Sequence, residues 1–279
     1  MNLGVFGYAS IDSSYQMDSF AGLGKTTIIR KLHQDSEAGG IARIFYGLRE
    51  RNRCSAISWV GEDDLSKSWI SALNEMKVDT SGVEELQGSA PSCFLFHSRN
   101  GETVTFYDTG FGLTKELTLS EIAESVLSKV DVTIFAVGPR LATEKALEVV
   151  SQNSLVIWIV KADPSAYPPK LLEKMHKRSD VVIHSANENN FVSPNEFRKN
   201  AIVISTNGSH PISWKYGEKT GSISPRRLDE VSNTTGAGDV FSGYFVGEWL
   251  SSSNLEKSIN LGAEATFEYL TNRAIKRGL

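Results

Sequence analysis

A carboxylate closes the most chemically pointed run in this sequence. Asn233-Thr234-Thr235-Gly236-Ala237-Gly238-Asp239 leads directly into an apolar, helix-like stretch over 240–250. Gly236 and Gly238 have no Cβ, so a ligand can come close to the backbone. Free N–H groups at a helix start, helped by the helix dipole, make a site for an anion. A site that only bound phosphate would gain nothing from Asp239, which repels it. The combination is useful when a phosphoryl group is in transit. The amides then hold the charge that develops, and Asp239 takes the proton of the attacking hydroxyl. The same residues would also serve as a glycine-rich turn whose Asp stabilises the helix start, and physics alone leaves both open.

Two further stretches compete for attention. Gly24-Lys25-Thr26 ends a phosphate-binding loop of the G-x-x-x-x-G-K-[ST] type, but the first glycine position is Ser19. Residues 12–19 before it are polar, and the β-branched Thr26-Thr27-Ile28-Ile29 after it favours strand over helix. Lys25 is therefore expected on a turn, away from phosphates. Residues 3–7 read as a short buried strand. Tyr8-Ala9-Ser10-Ile11-Asp12 reads as a polar loop at its carboxyl end, where a parallel sheet places ligand groups. Asp12 there is either a substrate anchor or a loop acid satisfying local backbone.

The run 233–243 resembles the C-terminal signature of the ribokinase/PfkB family of sugar and nucleoside kinases, D-T-x-G-A-G-D-x-F-x-G. Gly236, Ala237, Gly238, Asp239, Phe241 and Gly243 all match it. The resemblance implies that Asp239 is the catalytic base and that Gly236, Ala237 and Gly238 form the anion hole for ATP, with Mg²⁺ as the accompanying metal. Asn233 replaces the usual Asp, which bears on a monovalent-cation loop. Asp12 matches the family's sugar-hydroxyl ligand, and Phe20 to Thr27 resembles a turn into the family's β lid. Gly39 and Gly40 match a G-G-x-x-x-N substrate motif at the lid hinge. Ile44 takes its Asn position, so acceptor contacts must differ. Arg43 is the nearest replacement donor, and it also reads as a solvated helix residue. Ser185 to Asn190 resembles the N-x-x-E element for magnesium and phosphates. Asn187 fits that element, Asn190 replaces its Glu, and Glu188 is the substitute metal ligand. Thr206-Asn207-Gly208 resembles the nucleotide turn, which assigns Thr206 and Gly208 to ATP.

The elements that must position these residues follow from pattern. Strands are expected at 55–60, 130–137, 155–160, 181–184, 201–205 and 211–216. Helices are expected at 117–129, 143–152, 171–178 and 255–277, with one from about 63 to 76 whose leading acids cap it. Such alternation implies a mostly parallel sheet with helices on both faces. Asn100-Gly101 between 93–96 and 103–107 predicts a hairpin, expected to pair with the Thr26 region in a small β-sheet lid that excludes water. The expectation is one α/β, ribokinase-like domain over 1–279, with lid segments at about 12–38 and 90–110.

The chain has 279 residues, 40% hydrophobic and 22% charged, and a net charge of −4, with no basic footprint for nucleic acid or an anionic membrane. No apolar run is long enough to span a bilayer. The strand near residue 3 leaves no room for a secretory signal, and Cys54 and Cys93 fit no metal or disulfide spacing. A cytoplasmic enzyme is expected, as a monomer or lid-mediated homodimer. It would move the γ-phosphoryl group of ATP to a hydroxyl of a sugar or sugar-like molecule. A nucleoside kinase or a non-catalytic metabolite binder are the alternatives.

Overall fold

The computed structural model describes residues 1–32, 36–48, 52–99, 102–113, 116–192, 196–228 and 233–276. The first strands are β1 (Asn2–Phe6), β2 (Ala9–Met17), β3 (Ile29–Leu32) and β4 (Glu37–Gly40). After a 3-10 turn at Ile41–Ile44 come α1 (Phe45–Leu48), β5 (Arg53–Val60), α2 (Asp64–Glu75), β6 (Asp79–Glu85), β7 (Ser92–Ser98) and β8 (Thr103–Asp108). Alternation follows with α3 (Glu121–Leu127), β9 (Val132–Phe135), α4 (Arg140–Val149), β10 (Leu155–Ile159), α5 (Pro169–Arg178) and β11 (Val181–Ser185). The chain continues through β12 (Ile202–Asn207), β13 (His210–Tyr216), β14 (Lys219–Ile223), α6 (Ala237–Ser252) and α7 (Leu255–Lys276).

Nine strands form one sheet in the order β14-β13-β12-β11-β10-β9-β1-β5-β6. It is parallel from β12 to β6, and β13 and β14 add antiparallel at one edge. Alternate residues of a strand point to opposite faces, and the cores divide accordingly. Leu3 and Val5 of β1 pack with Trp69 of α2, Phe245 of α6 and Ile259 of α7. Phe6 packs on the other face with Leu127 of α3, Ala146 of α4 and Met175 of α5. The helix expected at 63–76 is capped by Asp63, whose Oδ1 accepts from Ser66 N–H at 2.7 Å, as its acidic start implied.

A second, small sheet runs β3-β2-β7-β8, with β4 also on β2. It corrects two expectations. Residues 8–12 are not a loop: β2 starts at Ala9, and its polar composition is overridden because β4, β3 and β7 supply ladder partners. The β7–β8 hairpin does pair antiparallel, but its sheet partner is β2, in parallel, rather than the Thr26 region. The Asn100-Gly101 turn itself lies outside the described residues. After Gly40 the chain runs through the 3-10 turn into the short α1. β14 had no sequence expectation.

Candidate active site

A cavity of about 620 Å³ opens at the carboxyl ends of β1, β9 and β10 and under the small sheet. Carboxyl strand ends are where open α/β sheets hold ligands. Of the sequence candidates, Asp12, Gly40, Arg43, Gly236, Gly238 and Asp239 line it together. Gly39, Ala237, Asn187, Glu188, Thr206 and Gly208 are not in its wall.

The glycine turn is held from several sides. Asn233 is buried, and its Oδ1 accepts from Thr235 N–H at 2.8 Å. Its Nδ2 donates to the Ser14 hydroxyl on β2 at 3.4 Å. Ala237 N–H donates to Thr234 C=O at 3.1 Å, so that amide is already engaged. Among the described residues the N–H groups of Gly238 and Asp239 have no protein acceptor. Gly236 needs its glycine twice over: its φ is +79°, and a Cβ would lie 2.3 Å from Arg43 Cδ. Gly238 has an ordinary φ, and a Cβ there would meet nothing within 4 Å. Asp239 is half-buried. Desolvation raises its pKa above the ordinary carboxylate value; Lys161 and Arg43 oppose that shift, while Asp12 and Glu188 add to it.

The acceptor side centres on Asp12. Its Oδ1 accepts from the Ser10 hydroxyl at 2.7 Å and its Oδ2 from Arg43 Nη1 at 2.5 Å. Arg43 is no solvated helix residue: its side chain is 2% exposed. Burial alone would lower its pKa, but Asp12 outweighs that, so it stays charged. Gly39 gives Asp12 room, because a Cβ would come 2.6 Å from Oδ1, and Trp69 Nε1 donates to the Gly39 carbonyl at 3.0 Å. Gly40, at φ +58°, would place a Cβ 2.1 Å from the Tyr8 carbonyl. Ile44 does not line the cavity. It is fully buried in the core on the α6 side.

The remaining candidates stand apart. Glu188 closes a capping box: Oε2 accepts from Ser185 N–H at 2.8 Å and Oε1 from Ala162 N–H at 3.2 Å. Asn187 is exposed on the same 3-10 turn. Thr206 Oγ1 donates to His184 C=O at 3.3 Å, and Gly208 sits at φ +56° in the β12–β13 hairpin. Lys25 is exposed on a turn between β2 and β3, with no helix after it.

Sequence reasoning missed several wall residues. Lys161 and Asp163 follow β10 directly, and Tyr8 follows β1 by two residues; the carboxyl-end rule that flagged Asp12 applied to them equally. Tyr8 is pushed up to about 12 by burial and then by Asp163. Tyr107 and Cys93 come from the small sheet, and burial raises both. From α7, the Tyr269 hydroxyl and Arg273 Nη1 donate to Thr235 C=O at 3.1 and 2.7 Å. No local pattern marks those two.

A parallel sheet covered on both faces, a small strand cover, and a glycine turn opening a helix beside a carboxylate together make a ribokinase-like kinase. The chain belongs to the pfkB family of carbohydrate kinases, whose model matches residues 5–269. A cytidine kinase from Thermococcus kodakarensis is 25% identical over 228 residues, covering 74% of this chain and 78% of that protein. The structure of Arabidopsis thaliana ribokinase with ribose and ATP superposes with a TM-score of 0.78 at 18% identity, over 95% of this chain and 90% of that one. The Methanocaldococcus jannaschii nucleoside kinase gives 0.77 at 18%, again over 95% and 90%. Among the described residues no helix is long and apolar enough to cross a membrane.

Proposed function

We propose that this sugar or nucleoside kinase transfers the γ-phosphoryl group of ATP to a hydroxyl of a neutral sugar or nucleoside, with Asp239 as general base. One observation carries the reading: Asp239, the amides of Gly238 and Asp239 itself, which have no protein acceptor among the described residues, and the Asp12 carboxylate share one cavity. Asp12 anchors the acceptor. Ser10 and Arg43 each take one of its oxygens, leaving lone pairs for substrate hydroxyls. Asp239 removes the proton from the attacking hydroxyl, and the turn amides hold the charge that develops on the phosphoryl oxygens. The raised pKa brings Asp239 nearer to the range in which a base works well. The small sheet closes over the acceptor and keeps water from competing.

Asn187, Glu188, Thr206 and Gly208 lie at the β11 and β12 ends and would border the nucleotide. Among the described residues no three metal-ligating side chains converge. Mg²⁺ keeps several waters and binds chiefly through substrate phosphates. Glu188, its oxygens shared with two backbone amides, would hold one of those waters. The metal would neutralise phosphate charge during transfer.

A nucleoside acceptor is favoured over a bare sugar by two cavity tyrosines, Tyr8 and Tyr107, which offer flat faces to a base. The 25% identity to a cytidine kinase points the same way. The test is a phosphotransfer screen with Mg-ATP over sugars, sugar acids and nucleosides, with Asp239→Asn as control. Acceptor binding without transfer by the wild type would show a metabolite binder instead.

A further inference from the structure

Asp12 on β2 and Glu37 on β4 are direct cross-strand partners. Two carboxylates in that position repel, so something must hold them. Two arginines do. Arg43 Nη1 donates to Asp12 at 2.5 Å, and its Nη2 donates to Glu37 Oε2 at 3.3 Å. The same Glu37 oxygen accepts from Arg273 Nη2 of α7. Arg273 Nη1 in turn donates to the Thr235 carbonyl at 2.7 Å. The side chains of Asp12, Arg43 and Arg273 are 6%, 2% and 10% exposed; Glu37 is 44% exposed. Two acids and two bases balance, which is how charges this deep are tolerated.

The contacts make a closed frame. It starts at the carboxylate of the acceptor side, passes through Glu37 to α7, and ends on the glycine turn. Arg43 closes it, because its Cδ packs against Gly236, only 2.3 Å from where a Cβ there would be. Glu37 is not in the cavity wall, so it acts through the two arginines.

We propose that Glu37 is a positioning residue that holds Arg43 and Arg273 in one frame and so fixes the Thr235–Gly238 turn relative to Asp12. With both arginines engaged, neither is free to bind an anionic acceptor. The kinetic side of the proposal rests on the phosphotransfer reading; the structural side does not. In-line transfer needs the acceptor hydroxyl and the phosphoryl group held together closely, and a displacement of about 1 Å costs on the order of 10²-fold. Glu37 should therefore govern kcat rather than KM. It should also set the field at Asp239, which is faced by Lys161, Arg43, Asp12 and Glu188. Removing the charge of Glu37 leaves more of Arg43's field on Asp239, which favours the carboxylate.

The test compares wild type, Glu37→Gln, Arg273→Met and the double variant, with Arg226→Gln as a control on the exposed Arg226–Glu264 pair. Steady-state kinetics and hydrogen exchange at residues 235–238 are measured on each. Each single variant should lower kcat by on the order of 10²-fold while acceptor KM moves less than about threefold. The double variant should be no worse than the poorer single one, because both break one frame. In Glu37→Gln the acidic limb of kcat/KM should move to lower pH, and exchange at 235–238 should quicken. A raised acceptor KM with intact kcat, or losses that add in the double variant, would overturn the proposal. If the wild type transfers to no acceptor, the kinase reading is what fails. Exchange then decides: faster turn exchange in Glu37→Gln supports the frame, and unchanged exchange refutes it.

Discussion

Gly238→Ala separates what the fold needs from what a ligand needs. At Gly238 the backbone φ is ordinary and a Cβ would meet no atom within 4 Å, so nothing in the folded protein requires glycine. It lies in the first turn of α6, where Ala is worth up to about 0.5–1 kcal/mol over Gly. At roughly 2–4 °C per kcal/mol for a large domain, Tm should hold or rise by about 1–4 °C. Activity should fall all the same, because the new methyl enters the space where the phosphoryl oxygens meet the amides. Losing one such donor costs on the order of 10²–10³ in kcat. Gly236→Ala is the contrast. A left-handed residue with a Cβ costs about 1–2 kcal/mol, and overpacking against an arginine locked by Asp12 and Glu37 adds about 1–3 kcal/mol. Thermal unfolding, an ADP-release assay and ATP titration calorimetry on both variants are the measurements. Native turnover by Gly238→Ala, or a loss of stability matching Gly236→Ala, would refute the reasoning.

Asp239→Asn should lower kcat by roughly 10²–10⁴-fold, the usual worth of a general base. The pKa of Asp239 is raised in the fold, so its contribution to stability is present at acid pH and lost as pH rises through the folded value. The Asn variant should thus melt higher than wild type at neutral pH, with the gain vanishing below the ordinary value of 3.8. Thermal scans across pH check this; an equal Tm at every pH would contradict the desolvation argument. Lys25→Ala should leave ATP affinity within about threefold, since a true phosphate-loop lysine would reach the β/γ-phosphates; calorimetry giving a collapse in a folded variant would restore that reading. Ile44→Asn should destabilise by at least about 1–3 kcal/mol, the cost of an unpaired buried amide. It should not improve ribose use, and a variant of native Tm with better ribose turnover would put residue 44 at the acceptor after all.

Legibility in the sequence divides by range. Helix and strand alternation from residue 117 to about 205 was legible because each apolar run is local and buried on a parallel sheet. The glycine turn was legible because its chemistry is written within seven residues. β2 was not: Ser10, Asp12, Ser13 and Ser14 carry no strand signal, and the strand exists because β4, β3 and β7 bond to it. Arg43 misled for the same reason. A basic residue after paired glycines looks solvated until Asp12, 31 positions earlier, is known to lie within 2.5 Å. Arg273 has no sequence signal, because its partners are a carbonyl 38 residues away and a carboxylate 236 residues away.

Asn233 is a departure from the Asp of the family signature, and what it does in the fold shows only in its partners. In the structure its carbonyl oxygen takes the Thr235 amide, as an Asp oxygen could, while its Nδ2 donates to Ser14 on β2. A carboxylate there would instead accept from the Ser14 hydroxyl, so Asn233 keeps a link between the glycine turn and the strand that carries Asp12 with the donor reversed. That is the same pair of elements that Arg43, Glu37 and Arg273 tie together from the other side. Two sets of contacts on one joint indicate that the distance between Asp12 and the turn is what this chain holds fixed.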